Sequence, residues 1–434
     1  MLKLKKDVVV LALAMGCAAA PLSDAWAAEK LKFAFLAALT GPQSGIVGQP
    51  GVNAAQMIIE AIDQGTLPAP YAGKKGFGSQ EAELMPVDEA LPPAQVATEV
   101  RDTIERNHVD AIVGSMNSGT CLAFLPVVEE LKTLTVLSTC GTPRVFEEGN
   151  MQYVFRTSSN ATADGITAAR YLTRRMPDLK SFGGLNPNYA FGQDSWRDFS
   201  LAMKAFRPDL QPTTNYTPNY QSFQYSAEIS SMLTEKPQAA FSSFFATEIE
   251  AFVAQMAPRK LNESTKLIFS TGETIMYKMG ERLPDGVIIG ARGPYGVFAR
   301  PTALGKWFKD NYVARFKSQP VYTAYHAAQA ILALKIAYDK AAAAAPGQAP
   351  NTDAVITAMK GIEYEAFGTT VRLSRSGGHQ AANEGAMGVY KFDKATGMPT
   401  VTDVEYYAAD CINPPDGTKA VDWLTAGLPG AKCN

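Results

Sequence analysis

Strand-like apolar segments alternate with amphipathic helical segments along most of the chain, and nothing else in the sequence limits the fold as tightly. "LKFAFLAALTGP" reads as a strand ending in a turn. "GVNAAQMIIEAIDQG" follows, with Val52, Ala55, Ile59 and Ile62 on one helical face and Gly65 as a stop. "EAELMPVDEA" predicts a second strand, and "PPAQVATEVRDTIERNH" a helix with Val96, Val100 and Ile104 spaced by four. "VDAIVGS" predicts a third strand, "CLAFLPVVEELKT" a helix despite Pro126, and "LTVLST" a fourth strand. The pattern restarts at "YVFRTSS" and runs through "KSFGGLN", "PTTNYTPN", "AAFSSFF", "KLIFSTGE" and "GVIIGARGPY", with helical segments between most of them. A long Ala-rich helix up to Pro346, two more strand-like stretches and a Pro/Gly-rich tail complete the chain. Parallel neighbours need crossover connections long enough to carry a helix, so two such runs predict two doubly wound parallel α/β sheets. A length of 434 residues accommodates two domains.

Charge excludes some partners. Lys and Arg number 40 against 42 Asp and Glu, so there is no basic field for nucleic acid or an anionic membrane surface. The first residues read as a leader. "MLKLKK" is basic, "VVVLALAMGCAAAP" is apolar but short, and "AWA" at Ala25–Ala27 fits a cleavage site, so residues 1–27 are expected to be removed on export. Cys17 raises lipid attachment as another reading, although Ala14 stands where a leucine is usual. No later run is apolar enough to span a bilayer.

Beyond the leader the cysteines are Cys121, Cys140, Cys411 and Cys433. An even number in an exported chain suggests disulfides. Of the three possible pairings, the local one, Cys121–Cys140 with Cys411–Cys433, is preferred, and buried free thiols at 121 and 140 are the alternative. The second bridge would staple a tail with little else to hold it.

Ligands bind outside the carboxyl ends of strands in parallel sheets. That places interest on "GSMNSGTC" and "STCGTP", two adjacent loops leaving strands with Ser118, Thr120 and Thr142 hydroxyls. They could grip a carboxylate with hydroxyls and helix-N-terminal N–H groups, or simply cap helices. In the second run the strand ends present Tyr189, Phe191, Phe245 and Glu273, an acid among aromatic residues that suits an ammonium. Catalytic signals are weak. The histidines are His108, His326 and His379, with no metal-binding spacing, and there is no nucleophile elbow, P-loop or dinucleotide fingerprint. His108 is expected to cap a helix and His379 to sit in a loop. Cys140 is a conceivable nucleophile, with no base in view. No enzyme activity, cofactor or metal is expected.

"LTGPQSGIVGQPGVNAAQMIIEAIDQG", "VGSMNSGTC", "VLSTCGTPRVFE", "YVFRTSSNATADG", "NYAFGQD" and "FSTGET", in this order, resemble the periplasmic branched-chain amino-acid (Leu/Ile/Val) binding proteins of ABC transporters, from about Leu31 to Asp393. The resemblance implies a type I periplasmic binding protein: two α/β lobes joined by three crossovers and closing on ligand by hinge motion. It implies lobes of 28–157 plus 292–368 and of 158–291 plus 369–410, with 411–434 as a stapled tail. It implies that Ser118, Cys140, Gly141 and Thr142 hold the ligand carboxylate and Glu273 its ammonium. Phe191, with Tyr189 nearby, and Phe245 fall where the family has tyrosines. Their lost hydroxyls leave room for a more apolar or aromatic, amine-free carboxylate. The implied protein is a periplasmic monomer that takes a small-molecule ligand to an ABC transporter permease. A ligand-sensing receptor or regulator of the same fold is the alternative.

Overall fold

A computed structural model describes residues 29–433. The expected leader lies outside the described residues. Fifteen strands are β1 (Leu31–Ala37), β2 (Ala82–Asp88), β3 (Ala111–Gly114), β4 (Thr135–Leu137), β5 (Val154–Arg156), β6 (Phe182–Leu185), β7 (Pro212–Tyr216), β8 (Ala239–Ser242), β9 (Lys266–Phe269), β10 (Ile288–Gly290), β11 (Glu363–Ala366), β12 (Thr369–Arg375), β13 (Gln380–Ala381), β14 (Gly385–Asp393) and β15 (Met398–Tyr407). They form two sheets, ordered β11-β12-β13-β5-β4-β3-β1-β2 and β15-β14-β10-β9-β8-β6-β7. The inner strands β3, β4 and β5 are buried throughout, as expected of parallel strands covered on both faces.

Each sheet repeats one parallel motif. β2-β1-β3-β4-β5 and β7-β6-β8-β9-β10 share the order in which the second strand of the run lies outside the first. The chain therefore reverses its direction of growth between β1 and β3, and again between β6 and β8. Loops at such a switch point diverge and leave a crevice at the carboxyl ends. Antiparallel strands finish each sheet on one side: β12 and β11 on the first, β14 and β15 on the second.

The third crossover lies later than expected. β12 pairs with β11 and β13, and β13 joins β5, so residues 369–381 belong to the first lobe and the chain passes to the second only between Ala381 and Gly385. β12 alternates buried and exposed residues, a pattern either sheet could accept. Helices Ala303–Phe316 and Thr352–Met359, and strands β11 and β15, also lie in stretches that the sequence reading passes over. The Ala-rich helix runs from Tyr322 to Ala344. It is buried on nearly all sides up to Ala341 and packs on helix Gln49–Gln64, which makes it a core helix of the first lobe.

The tail is also held differently from the expectation. Cys411, Ile412, Trp423, Leu424 and Leu428 join Ile166, Phe199 and Met203 in the second lobe's core. Trp423 is 2% exposed, and its indole N–H donates to Pro429 O at 2.9 Å. The sulfurs of Cys411 and Cys433 are bonded, as are those of Cys121 and Cys140. Replacing Cys411 and Cys433 together with alanine is expected to cost about 2–4 kcal/mol in urea unfolding, through freedom regained by the unfolded chain. The native tail should stay docked by Trp423, so limited proteolysis of the folded variant that trims the tail would contradict this packing.

Candidate functional site

The two switch points face each other across the lobes. A chamber of about 440 Å³ lies between them. The first lobe contributes the loop after β1 (Ala38 to Gln43), the loop after β2 (Glu89 to Pro93) and Met116, Asn117, Gly119 and Thr120 after β3. The second contributes Tyr189 after β6, Tyr220 and Gln221 after β7, and Phe245 after β8. This volume suits a small organic ligand. Met116, Tyr189 and Phe245 also border a narrow recess whose other walls are Thr139, Gly141, Phe191, Arg292, Tyr322 and Thr323.

The rings form a continuous wall. Tyr189 and Tyr220 have centroids 4.5 Å apart, and Tyr220 lies nearly parallel to Phe245 at 6.4 Å. Tyr189 also meets Phe191 at 6.4 Å. A flat apolar ligand gains both area and ring–ring geometry against such a wall.

Arg292 is the cation of the recess. It follows β10 in the second crossover and is 4% exposed. Its Nε donates to Asp164 Oδ2 at 2.8 Å, Nη1 to Thr139 O at 2.5 Å and Nη2 to Ser159 O at 2.7 Å. Its guanidinium lies 5.2 Å from the Phe191 ring centroid. Burial opposes the Arg292 charge, but Asp164 and Tyr322 together outweigh burial and raise its pKa. A guanidinium has five N–H groups, so these three bonds do not exhaust it, and its fork matches a carboxylate. Arg292 has φ 49°, as Ser115 (61°) and Ala246 (50°) depart to positive φ on the loops after β3 and β8. Such backbone strain gathers where surrounding structure fixes a site.

Glu89 is an acid of the chamber wall. Its oxygens accept from Ser115 Oγ at 2.8 Å and Met116 N at 2.7 Å. Burial pushes its carboxyl up to about 7. Gln43, in the same wall, is 2% exposed, and neither its Oε1 nor its Nε2 has a hydrogen-bond partner.

Of the residues expected at the site, Gly141, Tyr189, Phe191 and Phe245 reach these cavities, and Ser118, Cys140, Thr142 and Glu273 are not among their walls. Ser118 Oγ accepts from Thr142 N at 3.2 Å, and Thr142 Oγ1 donates to Asp194 Oδ2 at 2.7 Å. Asp194 also receives Arg144 Nε at 3.1 Å, so the second loop binds the facing lobe rather than standing open. The N–H groups of Gly119 and Thr120 donate to Asn117 Oδ1, which makes the first loop a helix cap. Cys140 is buried and bonded to Cys121. Glu273 starts helix Glu273–Met279, is fully buried, and accepts Tyr322 N at 2.8 Å. Gly296 lies so close that a Cβ there would stand 1.8 Å from Glu273 Oε1. Gly141 is likewise crowded, since a Cβ would stand 2.5 Å from the Phe191 ring and 2.9 Å from Arg292 Nη2 and would force those side chains to shift. Phe191 and Arg292 thus stand against Gly141, where the resemblance implies part of the carboxylate grip.

The sequence reading misses Arg292, Tyr220, Glu89 and Gln43. An arginine directly after the apolar run "GVIIGA" was a legible signal for the first, and an aromatic at a strand's carboxyl end for the second. Nothing local marks Gln43. His108 caps helix Pro93–Asn107 in the left-handed region. His379 is not a free loop residue: it is 4% exposed, its Nδ1 lies 2.8 Å from Val154 O, and its ring stacks on Phe155.

A family described as periplasmic binding protein matches residues 30–397. The Leu/Ile/Val-binding protein of Escherichia coli is 24% identical over 165 residues, 38% of this chain and 42% of that protein, so the match spans less than half of the relative. A solute binding protein of an ABC transporter from Rhodopseudomonas palustris, solved with 3,4-dihydroxy benzoic acid, has a TM-score of 0.74 at 20% identity, covering 88% of this chain and 98% of its own. Another from R. palustris, in complex with benzoate, has a TM-score of 0.75 at 16% identity, covering 90% and 100%. A leucine binding protein from Thermotoga maritima has a TM-score of 0.69 at 18% identity, covering 86% and 98%. These structures share the two-lobed fold.

Proposed function

The chain belongs to the periplasmic binding protein family, and from that premise we propose that it is the exported solute-binding component of an ABC importer, closing its lobes on an aromatic carboxylate. The observation that carries the ligand class is Arg292 in a recess that shares Met116, Tyr189 and Phe245 with the ring-walled chamber. In this reading the carboxylate pairs with the Arg292 N–H groups that Asp164, Thr139 and Ser159 leave, and the ring lies against Tyr189, Tyr220 and Phe245. The benzoates bound by structural neighbours support the same class. The protein works in the periplasm as a monomer, since both lobes must be free to close and to present themselves to a permease. Its role is binding, without catalysis. An amino acid is the second reading, favoured by Glu89 in the chamber wall, which could receive an ammonium.

Thermal unfolding with two ligand panels separates these readings. Benzoate and hydroxybenzoates form one panel, L-amino acids the other. A true ligand at 100 times its Kd adds about 2.7 kcal/mol of stability. The benzoate panel is expected to raise Tm. If only amino acids do so, the aromatic-carboxylate assignment fails.

A further inference from the structure

We propose that the Gln43 amide is the specificity-determining group of the cleft and reads a hydroxyl on the ligand's ring, at the end remote from Arg292. The inference rests on the aromatic-carboxylate reading and deepens it. Gln43 and Glu89 line only the wide chamber, and Arg292 only the recess. A ligand whose carboxylate meets Arg292 passes Met116, Tyr189 and Phe245, which border both cavities, and extends into the chamber that Gln43 lines.

Four other polar side chains of that wall are engaged. Glu89 accepts from Ser115 and Met116, and Thr40 donates to Asp88 Oδ2 at 2.6 Å. Asn117 caps its helix, and Gln221 Nε2 donates to Tyr220 Oη at 2.9 Å. Gln43 alone among these brings a buried carboxamide with neither atom partnered. Its backbone is fixed, because its carbonyl accepts Val47 N at 3.0 Å and anchors the turn Ser44–Gly48. A buried amide without partners in the protein costs free energy that a bound polar group can return.

The chemistry of the amide selects the group. It offers an acceptor and two N–H donors side by side. A hydroxyl both donates and accepts, so it can use Oε1 and Nε2 at once. A second carboxylate could only accept, and it would leave Oε1 unpaired. An ammonium could only donate, and it would leave Nε2 unpaired. A ring hydroxyl satisfies the amide and keeps the rest of the ligand flat against the aromatic wall.

The test compares calorimetric affinities of the purified protein and its Gln43→Leu variant for benzoate, 3-hydroxybenzoate and 4-hydroxybenzoate. Wild type is expected to bind one hydroxybenzoate at least about tenfold tighter than benzoate. Gln43→Leu should weaken that hydroxybenzoate by about 10- to 100-fold and leave benzoate within about threefold, which also shows that the variant is folded. If Gln43→Leu does not fold, Gln43→Met, of nearly the same length, takes its place. Equal affinity of wild type for all three acids, or an equal loss for all three in the variant, overturns the role of Gln43 while the carboxylate reading stands. Binding of none of them by wild type overturns both.

Discussion

Arg292→Met is expected to abolish carboxylate binding and to destabilise the protein by about 3–5 kcal/mol, the cost of leaving a buried charge unpaired. The charge left behind is Asp164, whose partner stands at 2.8 Å with both side chains buried. The carbonyls of Thr139 and Ser159 lose their donors in the same step. Because Thr139 follows β4 and Asp164 lies in helix Ala161–Arg175 of the other lobe, Arg292 ties both lobes to the second crossover. The two consequences can be separated. Adding Asp164→Leu to Arg292→Met removes the orphaned carboxylate and should recover much of the stability, since apolar groups often replace a buried pair at little cost. It should not restore binding. Urea unfolding of wild type and both variants reads the first effect, and benzoate calorimetry reads the second. Full benzoate affinity in the folded double variant would show that Arg292 is a strut of the hinge and not the carboxylate's partner.

Glu273→Gln is expected to flatten the pH dependence of stability and to leave ligand affinity within about threefold, whereas an acid that gripped the ligand's ammonium would cost on the order of 100-fold when lost. Burial raises the Glu273 carboxyl from 4.5 to about 8, opposed by the N–H groups of Tyr322 and Val297. Between those values the folded state keeps a proton that the unfolded state releases. Stability therefore falls as pH rises across that interval, by at most about 1.4 kcal/mol per unit, and levels off above it. Glutamine cannot ionise, yet its carbonyl can still accept the Tyr322 N–H, so the variant should gain on wild type as pH approaches 8. Glu89 and Glu248 are each raised to about 7 and titrate in the same interval, so the wild-type-minus-variant difference in urea unfolding is the informative quantity. An identical pH profile in the two proteins would mean that Glu273 is already charged in the fold and that its surroundings are more polar than the Tyr322 and Gly296 contacts imply.

The contrast between these two residues shows where local reading stops. Glu273 was visible as an acid at the end of an apolar strand, and that position is real. What the local sequence lacks is the neighbour that claims it: the backbone N–H of Tyr322, 49 residues later. Ser118 and Thr142 were likewise placed at the right strand ends, but Thr142 N takes the serine's oxygen and Asp194 takes the threonine's hydroxyl. Hydroxyls and carboxylates have several possible partners, and the choice among them is made by contacts distant in sequence. The third crossover moved for a related reason, since an alternating strand carries its period but not the identity of its sheet.

The sequence by itself determined the two doubly wound lobes and the band of strand ends at which the cleft lies, because hydrophobic period and crossover length are written locally. Only the tertiary structure decided which side chains meet in that cleft. Arg292 closes on Thr139 and Asp164, and the Gln43 amide is left without a partner among the cleft's walls. A binding site is a set of pairings between distant segments, and a residue's own neighbours in the chain do not encode them.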